Sequence, residues 1–129
     1  MAEFPDSELA SAIDQFNRQD FYACHDTLEA LWVEAPTDEK KFYQGLLQVA
    51  VAYYHLGNSN WRGAVVLLGE GRFRLLSYAP SYAGIDVAQL RQDTQALFTD
   101  LQAIDPAQVE MLAAELASQQ RPYPQIHWI

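Results

Sequence analysis

Phe42-Tyr-Gln-Gly-Leu-Leu-Gln-Val-Ala-Val-Ala-Tyr-Tyr-His-Leu56 decides the fold. The stretch is too long for a strand, shows no strict alternation, and is apolar on nearly every side when wound as a helix. A helix of that character belongs at the centre of a bundle. Its polar exceptions, Gln44, Gln48 and His55, fall within about 40° of one another at 3.6 residues per turn, so they share one line along the helix. Buried without partners, each would cost about 1–3 kcal/mol. The line therefore demands polar groups opposite it.

Outward from this core, the punctuation predicts more helices. Thr37 opens the central helix, with Asp38 and Glu39 favourable in its first turn, and Gly57 is placed to end it in the left-handed position. Before it, Asp20 caps a helix that ends before Pro36 and carries Phe21, Leu28, Leu31 and Trp32. A first helix covers Asp6 or Ser7 to Asn17 through Leu9, Ile13 and Phe16. After a tight turn at 58–60, a fourth covers residues 61–77. Gly63, Gly69 and Gly71 there point to close helix approach or to a break. Asp86 with Gln89 fits a capping box for a fifth helix reaching Ile104, and Asp105-Pro106 opens a sixth. The expectation is an all-α, multihelical bundle: about six helices in antiparallel hairpins, no sheet, one domain over residues 1–120. Residues 121–129 form a non-helical tail with two prolines whose Ile126, Trp128 and Ile129 pack back on the bundle or on a partner.

The 129 residues suffice for one core, half of them apolar. A formal charge of −9 with eight scattered Lys and Arg argues against nucleic acid and anionic membranes. With neither signal-peptide pattern nor apolar run of membrane length, the expected location is cytoplasmic. Cys24, the single cysteine, reads as a small buried hydrophobe ahead of a nucleophile.

The second helix supplies the polar partners. His25, Glu29 and Trp32 lie within about 60° of arc, and an antiparallel neighbour would bring His25 and Glu29 to the line of Gln44, Gln48 and His55. The expected result is one interhelical polar cluster, with Trp32 covering one side and Arg62 neutralising Glu29. Such a cluster is either a buried hydrogen-bond network that fixes the packing or a site for a small polar ligand or peptide. A metal ranks third, so neither metal nor cofactor is assigned.

At these residues the chain resembles the family called domain of unknown function 309. The resemblance rests on His25, Glu29 and Trp32 as a His-x-x-x-Glu-x-x-Trp signature, on Gln44-Gly45-Leu46-Leu47-Gln48, and on His55 with Arg62-Gly63-Ala64. It covers roughly residues 8–77 and implies a small all-α domain with no established activity. The leading functional expectation is a binding or interaction module. The alternatives are a metal-assisted or acid/base hydrolase using Glu29 with His25 or His55, and a structural adapter. Whether the chain is an enzyme stays open. Its partner is an unknown protein or small molecule, with Tyr78, Tyr82, Tyr123 and Trp128 available to a partner or, as a homodimer, to a second copy.

Overall fold

The computed structural model describes residues 7–129. Among these, six α-helices follow in order: α1 (Ser7–Asn17), α2 (Phe21–Glu34), α3 (Thr37–Gly57), α4 (Trp61–Leu76), α5 (Val87–Ala103) and α6 (Val109–Ala117). The start at Asp6 considered for α1 lies outside the described residues. Side-chain caps fix the starts of α2, α4 and α5: Asp20 accepts from the Ala23 amide, Asn60 from Gly63 and Asp86 from Gln89. Asp105 accepts from Ala107 at the head of a 3₁₀ turn (Pro106–Gln108) that leads into α6.

The helix α3 is the hub, packed between α2 and α4 and touching α6. Phe42, Val49 and Ala50 of α3 and Leu68 and Leu75 of α4 are fully inaccessible. Of the two meanings open to the α4 glycines, close approach holds, because α4 is unbroken. A Cβ built on Gly71 would stand 2.9 Å from the Gly45 carbonyl oxygen, and one on Gly45 would meet Leu75 at 3.0 Å. On its other side α4 is joined to α5 through Arg72, which is only 6% exposed. Its guanidinium donates to the Thr94 hydroxyl at 2.8 Å, to the Arg91 carbonyl and to the Gln95 side chain. Arg91 returns a hydrogen bond from Nε to the Arg72 carbonyl at 3.0 Å.

Three local expectations need correction. Gly57 does not take the left-handed position; it stays helical, and Ser59 (φ 57°) makes the reversal while the Asn60 amide donates back to the His55 carbonyl. The Asp86–Gln89 box is half formed. Gln89 donates to Asp93, and the Asp86 amide donates instead to the His127 carbonyl at 2.8 Å. A sheet does exist: β1 (Ser81–Tyr82) pairs antiparallel with β2 (Ile85–Asp86). Ala83 and Gly84 between them both have positive φ, which a two-residue hairpin turn matched to strand twist requires. Two-residue strands are too short for alternation to betray them.

The tail is held at two places, by the β1–β2 hairpin and by the end of α1. Trp128 bridges to Ile85, and the Ile129 amide donates to the Gly84 carbonyl at 2.7 Å. Asn17, at the end of α1, takes the Ile126 amide on Oδ1 (2.7 Å) and gives Nδ2 to the Ile126 carbonyl (3.0 Å). Tyr78 and Tyr82 lie against Phe42, and Tyr123 against Phe21 and Tyr53, so these three serve internal packing. Among the described residues no helix is long and apolar enough to cross a membrane.

Candidate functional site

His25 of α2 and His55 of α3 line one groove of about 120 Å³, together with Phe21, Tyr22, Val51 and Tyr54. Its rim is a run of four rings. The Tyr22 and Tyr54 centroids are 5.7 Å apart, Tyr22 and His25 6.4 Å, and Tyr54 and His55 6.0 Å. The surface that lines the groove is almost entirely apolar, as is common in ligand pockets between helices.

Local sequence seats each imidazole. The Asn60 Oδ1 is occupied by the Gly63 amide at 2.9 Å, which turns Asn60 Nδ2 toward His55 Nδ1 at 3.3 Å. His55 Nδ1 is thereby assigned as an acceptor, and the neutral ring carries its proton on Nε2. Glycine at 63 makes room for that ring, since a Cβ there would come within 2.7 Å of His55 Cγ. His25 lies at the lip, with Nδ1 3.2 Å from Asp26 Oδ1 and Nε2 3.8 Å from Glu29 Oε2.

The other residues expected in the cluster are distributed elsewhere. Glu29 is exposed, its side chain 56% accessible. The buried line of α2 is Phe21, Cys24 and Leu28, and Glu29 lies roughly 100° around the helix from it. The line of Gln44, Gln48 and His55 does not meet α2 as one cluster: His55 borders the α2–α3 groove, whereas Gln48 turns toward α4. Gln48 is buried on that seam, donating to Glu70 and accepting from Arg74, each at 3.1 Å. Gln44, half-buried, precedes it by one turn. Trp32 lies under Lys40, whose ammonium sits 4.8 Å from the ring centroid and donates to the Trp32 carbonyl, locking the α2–α3 connection. Arg62 is exposed, and among the described residues it forms no ion pair with Glu29.

Among the described residues no three His, Cys, Asp or Glu side chains gather into a group that would hold a metal ion. Cys24, beside His25 in sequence, points into the core; burial, with Asp20 adding, pushes its thiol pKa up to about 12. Tyr22 of α2 and Tyr54 of α3 line the groove although neither belongs to the polar residues the sequence singles out. Tyr22 three positions before His25, on the same helical face, was the signal available.

Known proteins place the chain among relatives without assigned roles. A family model described as Domain of unknown function (DUF309) matches residues 9–67. The uncharacterised protein YpuF of Bacillus subtilis (strain 168) is 27% identical over 105 residues, covering 78% of this chain and 60% of that protein. An uncharacterised protein of Aquifex aeolicus (strain VF5) is 26% identical over 84 residues, 64% of this chain and 25% of its own length. The chain thus spans less than two thirds of either relative. The matched segment contains α2, α3 and both histidines of the groove, so over residues 9–67 the chain is similar to the DUF309 family.

Proposed function

We propose that this chain is a binding module whose α2–α3 groove receives a side chain of a partner peptide or a small ligand. One observation carries the reading: two helices converge two histidines and two tyrosines on a single apolar notch, with Asn60 and Gly63 dedicated to seating His55. Tyr22 and Tyr54 remain 61% and 41% exposed there, which is large apolar area for a surface to leave open. The hydrolase reading has less support, since Glu29 faces solvent and the one thiol is buried. Backbone-amide NMR during titration with a library of short peptides tests the proposal. Shifts should concentrate on residues 21–25 and 51–55 and disappear in Tyr22→Ala/Tyr54→Ala. Shifts confined to another face, or surviving in that variant, would overturn it.

A further inference from the structure

We infer that the occupant of this groove is a cationic amphipathic segment of a partner protein, an inference that rests on the binding-module reading. The charge of the chain is divided unevenly. Residues 1–39 carry ten of the seventeen acidic side chains and one base, Arg18, whereas the remaining ninety residues carry seven of each. The whole net charge of −9 therefore belongs to the segment containing α1 and α2. Arg18 is engaged by Asp14 at 2.6 Å. Lys40, the next base in sequence, is folded over the Trp32 ring.

This charge is combined with apolar anchors on one stripe of α2. Tyr22, Asp26, Glu29 and Val33 fall within about 60° of arc, and all four are exposed. Tyr22 and Val33 stand 61% exposed each, about 16 Å apart along the axis, with the two carboxylates between them. The groove opens beside the Tyr22 end. A complementary segment is a helix of about three turns with apolar residues at both ends and Lys or Arg between them. One apolar residue enters the groove that Tyr22 and Tyr54 border, and the basic residues meet Asp26 and Glu29. Phosphate-bearing partners are repelled by the same charge. Electrostatic complementarity of this kind sets selectivity and association rate more than final affinity.

The test uses two synthetic amphipathic peptides with identical leucine anchors, one flanked by Lys and Arg and the other by Glu, titrated into the whole chain by calorimetry and NMR. The basic peptide should bind at residues 21–33 and 51–55, and weaken by about tenfold or more from low to near-molar salt. D26K/E29K, at exposed positions where folding is not at stake, should reverse the preference. Equal binding of both peptides in the groove would overturn the cationic partner and leave the groove reading standing. If neither peptide moves these amides, the cationic partner also falls. The groove reading falls with it only if the short-peptide library is silent too.

Discussion

Replacing Gly71 by alanine tests the packing that positions α3. In an isolated helix the change would help, because glycine costs roughly 0.5–1 kcal/mol relative to alanine. Here the new Cβ would stand 2.9 Å from the Gly45 carbonyl oxygen, 2.9 Å from Val49 Cγ2 and 3.0 Å from the Val49 amide nitrogen, where ordinary contact begins at 3.4 Å. Two of the three are backbone atoms of α3 and cannot rotate away, so the helices must separate by about half an ångström. A gap of 0.5–1 Å forfeits about a quarter to a half of each dispersion contact along the seam, where Leu46, Leu68 and Leu75 pack. Overpacking of this kind costs about 1–3 kcal/mol. Net of the helix gain, Gly71→Ala should destabilise by about 1–2 kcal/mol. Gly57→Ala is the internal control: that residue is helical, and nothing lies within 4 Å of its Cβ position. It should stabilise by up to about 1 kcal/mol. Urea unfolding followed by far-ultraviolet circular dichroism measures both. If Gly71→Ala matched or exceeded the wild type, the close approach of α3 and α4 would be wrong.

Other outcomes follow from the placement of single groups. Glu29→Gln and Glu29→Ala should each change stability by less than about 0.5 kcal/mol, because an exposed carboxylate 3.8 Å from an imidazole contributes little. A loss of several kcal/mol in thermal melts of the alanine variant would restore a buried lock. Cys24 should be inert to a disulfide reagent near neutral pH in the native state and react on unfolding, since a rise from 9.0 to about 12 cuts the thiolate fraction about a thousandfold. Rapid native labelling would refute this. The same shift sets a pH dependence. The folded state keeps a proton that the unfolded chain releases above pH 9.0, so the contribution is complete below that pH and declines toward about 12. Tyr53, also raised by burial, acts in the same direction. The urea midpoint should fall across that range, and a flat profile would contradict it. Asn17→Ala should cost about 1–2 kcal/mol by leaving the Ile126 amide and carbonyl unpaired, and should speed proteolysis of residues 122–129; unchanged cleavage would refute the clamp.

The helices were legible because their causes are local. Asp20, Asp86 and Asp105 cap where they stand, Pro36 separates α2 from α3, and the run from Phe42 to Leu56 has no polar face wide enough to meet water. The buried position of Arg72 was within reach of the same logic. It continues the inward line of Ala64, Leu68 and Leu75, and that spacing outweighs its charge once Thr94 and two further acceptors meet it. The β1–β2 hairpin and the tail were less legible, since β2 is completed by His127 and Trp128, some forty residues onward.

The sequence by itself determined which residues are helical, that α3 is central, and that His25 and His55 lie on neighbouring helices. Only the tertiary structure decided what those helices show one another. Helical periodicity defines the angle between two side chains of one helix and is silent on which angle meets a neighbour. Glycines 45 and 71, from different helices, set how closely α3 and α4 approach, and Gln48 of α3 turns to that seam. Glu29 is left in water while Tyr22 and Tyr54 close on the two histidines. Caps and periodicity act within a turn or two of chain, whereas the rotation of one helix against another depends on side-chain volumes brought together from distant positions.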